Sequence, residues 1–240
     1  MKTAVLFLHG LGGRAENWSS QVTSLSDSYR PIALDLRGFG DSDPPSGETW
    51  LGDYADDVVR RMEVSAFDRF SLVGLSFGGM VAQELTLRRP DLVDRLVLAD
   101  TYADLADENK AFNRHLRTVA LEQGMDAVAD LMVPGCFTPE AVAAGAAFVK
   151  EFDRSVRTTN PNSFAIALEA INAMDLLPRI KAIEVRTLVL LGEQEPLRAE
   201  CERIHEAVAG SEMHVIEGAG HVSNLEQPQA FTEALLRFLD

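Results

Sequence analysis

Six short runs rich in valine, leucine and isoleucine recur along the chain: TAVLFLHG, RPIALDLRG, RFSLVGLS, DRLVLADT, VRTLVLLGE and MHVIEGAGH. They do not alternate apolar with polar residues, so both faces of each strand are expected to be covered, as in a parallel sheet between layers of helices. Between them, apolar residues return every three or four positions in NWSSQVTSLSD, LGDYADDVVRRMEVS, GGMVAQELTLRRP, AECERIHEAVAG and QPQAFTEALLRFLD. That spacing winds one apolar stripe along a helix. Strand alternating with helix predicts an α/β fold on a doubly wound, mostly parallel sheet.

The alternation breaks once. From Tyr102 to Arg179 the spacing is helical and no strand pattern occurs, and so long a connection is expected to carry structure of its own. The predicted organisation is a core formed by residues 1–101 and 180–240, with an inserted helical cap at 102–179. Asp41 to Glu48, DSDPPSGE, is the clearest surface loop, because two prolines and a glycine continue neither kind of element.

Composition narrows the class. A chain of 240 residues accommodates one domain with an inserted lobe. No apolar run approaches the ~20 residues that span a bilayer, and MKTAVLFLHGLGG enters a glycine loop without the cleavage site of a secretory leader. A cytoplasmic location with no membrane partner is the expectation. Lysine and arginine total 22 against 37 aspartates and glutamates, a formal charge of -15, which repels nucleic acid. Cys136 and Cys201 share no metal-ligand or Cys-x-x-Cys spacing and read as buried thiols of a reducing compartment.

Candidate chemistry gathers at strand ends, where open α/β sheets bind ligands. In FSLVGLSFGGM, Ser76 stands between Gly74 and Gly78 where a strand gives way to a helix. A sharp turn there needs close backbone approaches that side chains on either glycine would obstruct. The bend exposes the hydroxyl, and the start of the helix aims N–H groups at the same point. A serine needs a base to become nucleophilic, and histidine titrates near neutrality. His115 falls in the insertion, His205 in a helical stretch and His214 in a strand, whereas His221, in EGAGHVSNLEQP, follows the last strand on the same rim as Ser76.

His9 ends the first strand and is expected to order the GLGG loop, so that the Leu11 N–H joins the Phe77 N–H as an oxyanion hole. For the carboxylate that orients the base, LVLLGEQEPL offers Glu193 and Glu195, and LVLAD offers Asp100. Glu195 and Asp100 both satisfy the chain order serine, acid, histidine. Glu195 is preferred because it lies across the turn and can reach back over the sheet, while Asp100 can instead cap the start of the insertion.

Taken in order, HGLGG, DLRGFGDSD, GLSFGG, LLGEQEP and GAGH resemble the α/β-hydrolase superfamily over nearly the whole chain. The resemblance implies a nucleophile at Ser76, a base at His221, an acid at Glu195 with Asp100 as the alternative, and oxyanion donors at Leu11 and Phe77. It implies a cap at the insertion and no metal or organic cofactor. Members usually carry aspartate where Glu195 stands, so either its loop withdraws or Asp100 supplies the acid. Many also begin with a β-hairpin ahead of the HG pair, which is expected to be absent here.

In the insertion, GCFTPEAVAAG and NPNSFAIALEAINAMDL look most like the 3-oxoadipate enol-lactonase group and small carboxylesterases. The expected activity is hydrolysis of a small-molecule ester or lactone through an acyl-serine. Arg114, Arg117, Arg154 and Arg157 could hold a substrate carboxylate, although arginines on helices are more often solvated surface. Carbon–carbon hydrolysis or elimination by the same residues, and ligand binding without turnover, are the alternatives.

Overall fold

The computed structural model describes residues 2–64 and 67–240. Met1, Ala66 and Ser65, the last residue of the second predicted helix, lie outside the described residues. Strands β1 (Ala4–Leu8), β2 (Arg30–Leu34), β3 (Phe70–Leu75), β4 (Val93–Ala99), β5 (Arg186–Gly192) and β6 (Glu212–Ile216) coincide with the six apolar runs. They form one sheet in the order β2-β1-β3-β4-β5-β6, and every pairing is parallel.

The helices are α1 (Ser19–Leu25), α2 (Leu51–Val64), α3 (Phe77–Arg88), α4 (Asp107–Glu122), α5 (Met125–Met132), α6 (Pro139–Ala143), α7 (Ala147–Thr158), α8 (Pro161–Asn172), α9 (Arg198–Ala207), α10 (Ser223–Glu226) and α11 (Pro228–Leu239). Because successive strand residues point to opposite faces, the sheet feeds two cores. Val5, Phe7, Val73 and Val97 pack with Trp18, Leu25 and the α11 residues Phe231, Leu235 and Phe238. Leu6, Leu8, Leu72 and Leu96 pack with Tyr54 of α2, Met80 and Val81 of α3 and Ile204 of α9.

Coverage of both faces holds along most of the four central strands and fails at the edges. Arg30 is exposed and Pro31 to Leu34 are half-buried on β2, while Glu212, Met213 and His214 are exposed on β6. An edge strand has a neighbour on one side only, and charged residues there discourage pairing with another chain.

Between β4 and β5 run α4 to α8, with no strand. Helix α4 packs on α8 and α5 on α7. The Asn160 side chain accepts from the N–H groups of Asn162 and Ser163, and Pro161 fills the first helical position, so the start of α8 is fixed locally. Among the described residues no helix is long and apolar enough to cross a membrane.

Candidate active site

β3 ends at Leu75 and α3 begins at Phe77, so Ser76 alone turns the chain. Its φ of 52° lies in the left-handed region, where a side chain is strained. The neighbouring strand holds the bend: the Ser76 N–H donates to the Ala99 carbonyl at 2.9 Å, and the Thr101 hydroxyl donates to the Ser76 carbonyl at 2.7 Å. Neither flanking glycine tolerates a side chain. A Cβ on Gly74 would lie 2.4 Å from the Gly78 carbonyl oxygen, and one on Gly78 would lie 2.3 Å from that of Leu8.

Ser76 Oγ lies 2.8 Å from His221 Nε2, and His221 Nδ1 lies 2.8 Å from Glu195 Oε2. The other Glu195 oxygen accepts the Leu197 N–H at 2.9 Å, which orients the carboxylate. The loop after β5 and the loop after β6 approach closely because Gly192 has no side chain; a Cβ there would sit 2.1 Å from the Gly220 carbonyl oxygen. Burial opposes a charge on His221, but the charge and hydrogen bond of Glu195, with Asp100 behind, outweigh it and raise the imidazole to about 9. For Glu195 burial acts upward, and His221 overrides it, leaving the carboxyl below its ordinary value.

Asp100, the alternative acid, is not on the imidazole, whose Nδ1 Glu195 already occupies. Its Oδ1 accepts the Gly192 N–H at 2.8 Å, and its Oδ2 accepts the hydroxyl and the N–H of Ser223. Asp100 therefore ties the end of β5 to the segment that follows His221. It is fully buried, and burial together with the Glu195 charge pushes its carboxyl up to about 8. Glu193, the remaining candidate in that stretch, accepts the Gly218 N–H at 3.0 Å on the surface.

His9 is buried beside the site without touching Ser76. The Leu36 N–H can only donate, so Nε2 accepts it at 3.0 Å, and the proton sits on Nδ1, 2.8 Å from the Gly10 carbonyl. Burial drops this imidazole to about 4, so it is neutral. The Gly13 N–H also donates to the Gly10 carbonyl, at 3.0 Å. That carbonyl is thus pinned by two donors, while among the described residues the N–H groups of Leu11 and Phe77 have no partner.

A cavity of about 210 Å³ opens over Ser76 and His221. Leu105, Leu116, Phe152 and Ile171 form much of its wall, Leu11 borders it, and Phe112 and Leu131, 46% and 48% exposed, stand at its mouth. Cys136 also lines it; burial pushes this thiol up to about 12, so it is a neutral packing group. The four arginines singled out in the insertion do not line it. Arg114 and Arg154 are exposed, Arg117 pairs with Glu169 at 2.6 Å, and Arg157 is held by Asp126, Asp130 and Asp153. Each lies on an outward helix face and is solvated or paired with a surface carboxylate.

One buried carboxylate escaped sequence reasoning. Glu226 accepts the N–H of Thr138 at 3.1 Å and its hydroxyl, and it also accepts the Gly220 N–H at 2.8 Å. The Val222 N–H donates to the Cys136 carbonyl at 3.1 Å. Residues just before α6 are thereby fastened to both sides of His221. In the sequence Glu226 looks like any glutamate near a helix start, and only the fold reveals its burial.

The alpha/beta hydrolase family profile matches residues 5–234. The 3-oxoadipate enol-lactonase 2 of Acinetobacter baylyi is 28% identical over 236 residues, covering 98% of this chain and 87% of the relative. The crystal structure of an enol-lactonase from Burkholderia xenovorans superposes with a TM-score of 0.94 at 28% identity, covering 100% of this chain and 92% of that one. A thermophilic esterase from Thermogutta terrifontis superposes with a TM-score of 0.92 at 27% identity, covering 99% of this chain and 89% of its own. Since the match extends from the first strand into the last helix, the chain belongs to the alpha/beta hydrolase family.

Proposed function

We propose that the protein is a serine hydrolase that cleaves a small carboxylic ester or lactone through an acyl-enzyme. The observation that carries this reading is the unbroken chain of contacts from Glu195 through His221 to Ser76, each of 2.8 Å, opening into an apolar cavity. Relatives named as enol-lactonases and an esterase support the same chemistry.

Ser76 Oγ bonds to the acyl carbon while its proton passes to His221 Nε2, and the carbonyl oxygen takes up the negative charge. The unpartnered N–H groups of Leu11 and Phe77 are the donors for that oxyanion, one such donor being worth about 3 kcal/mol in the transition state. The ester C–O bond then breaks, and the alcohol departs with the proton from Nε2. Water adds to the acyl carbon, again giving a proton to Nε2. The bond to Oγ breaks, the proton returns to Ser76, and the carboxylic acid leaves. Glu195 holds the ring in the tautomer that leaves Nε2 free to accept, and steadies the imidazolium.

Ser76→Ala is expected to lower p-nitrophenyl ester turnover by about 10⁴-fold or more with the circular dichroism spectrum retained. A fluorophosphonate should label the wild type and not the variant. Wild-type turnover in Ser76→Ala would remove the reading.

A further inference from the structure

We infer that the acyl group accepted by this site is uncharged and apolar, and that esters bearing a free carboxylate on the acyl chain are rejected. The inference rests on the acyl-transfer reading above. Its basis is the lining of the cavity: among the described residues that border it there is no lysine, arginine, aspartate or glutamate. Besides Ser76 and His221, the polar side chains are Tyr102, Cys136, Asn109 and Asn113. All four are neutral donors or acceptors, and the two asparagines stand beside Phe112 on α4, half-buried near the mouth. One Asn113 amide hydrogen is already given to Asn172, at 2.9 Å.

With His221 in the neutral form in which it acts as base, a carboxylate entering such a pocket would give up its hydration without meeting a positive charge, and that loss is not repaid by neutral amides alone. The surroundings add repulsion. Glu195 lies behind the floor, and its influence is visible on the wall itself: burial first, then the charge of Glu195, holds both the Tyr102 phenol and the Cys136 thiol above their ordinary values. Arg117 and Arg157 of the insertion are committed to Glu169, Asp126, Asp130 and Asp153 on the outside. Leu116, Phe152 and Ile171 offer an apolar wall that rewards a hydrocarbon chain, and the half-exposed Phe112 and Leu131 let a longer chain pass out at the mouth.

This separates the chain from the relative named a 3-oxoadipate enol-lactonase. Adipate is a diacid, so a 3-oxoadipate enol-lactone retains one carboxylate after ring closure; the shared fold does not extend to a pocket suited to that charge.

The test compares p-nitrophenyl hexanoate with p-nitrophenyl hydrogen adipate. The two share a leaving group and a six-carbon acyl chain, and differ in a terminal methyl against a carboxylate. With each rate divided by its hydroxide-catalysed hydrolysis, kcat/KM for the hexanoate should exceed that for the adipate by about 100-fold or more. The ratio should persist in 0.5 M sodium chloride, because a desolvation penalty inside the pocket is not screened as the net surface charge is. An adipate ester cleaved within about threefold of the hexanoate overturns the inference, as does a gap that salt abolishes. So does a serine labelled by fluorophosphonate in a protein that cleaves neither ester. No labelling and no turnover of either ester overturns instead the acyl-transfer reading on which the inference stands.

Discussion

Glycine would adopt the backbone angle of Ser76 freely, yet glycine carries no hydroxyl. At a φ of 52° the serine is held by the Ala99 and Thr101 contacts against its own preference, so the strain is a cost of placing Oγ at the turn. Ser76→Gly is therefore expected to abolish ester turnover while stabilising the fold by about 1 kcal/mol, seen as a raised melting temperature. A melting temperature below that of the wild type would show the turn to be unstrained.

Two titratable groups of the site, His221 and the buried Asp100, make a pH prediction with a definite sign. A base acts in its neutral form, and His221 is raised to about 9, so kcat/KM for a neutral ester should climb from pH ~7 toward ~9 rather than level off near the ordinary histidine value. Asp100→Asn removes a negative charge that helps raise His221, and should move this acid limb to lower pH. Asp100 also governs stability. Its carboxyl ionises near ~4 when unfolded and at about 8 when folded, so the fold is favoured at low pH and that advantage is lost as pH rises through about 8. Between pH ~5 and ~9 the wild type should lose more melting temperature than Asp100→Asn; equal losses would refute the assignment. Residues of this kind show where sequence reading stops. Ser76 and His221 stood out because their glycine-bearing loops follow apolar runs, and Glu195 because it crosses a turn. What Asp100 touches depends on a strand and a loop more than ninety positions away.

At the scale of elements, Glu226 of α10 joins the helical stretch after β4 to the loop that carries His221. Replacing it with glutamine keeps its shape but sets an amide nitrogen against N–H donors of Thr138 or Gly220. Glu226→Gln should lower kcat about 10-fold, through a less well held imidazole, with KM shifted as the pocket wall at Cys136 loosens. Combined with Thr138→Val the losses should not add, since both substitutions break one network. Strict additivity in the double mutant would separate the two residues. Strands were readable at this scale because a buried parallel strand is one continuous apolar run. The boundaries within α4 to α8 were not. Periodicity marks helix without marking where Gly124, Thr138 or Asn160 divides one helix from the next.

For the whole molecule, the sheet divides the labour between its faces. The α1 and α11 side is closed by Trp18, Phe231 and Phe238. The opposite core continues without interruption from α2 and α3 up through Leu105, Leu116, Phe152 and Ile171, the same residues that wall the cavity. The alternation of strand and helix conveyed the layers, and the motif order conveyed the family. Pocket character was beyond it, because whether Arg117 or Arg157 points inward depends on how helices rotate against one another, which spacing alone does not fix.

The tie through Glu226 bears on how a variant of this protein could be re-tailored. Most of the lining comes from one uninterrupted piece of chain, so transplanting the stretch between β4 and β5 from a sibling would exchange selectivity as a cassette and leave the reacting groups in their native loops. The graft succeeds only if it brings its own hydroxyl and N–H to the position of Thr138, for without that stitch the host's histidine loop loses an anchor it cannot replace.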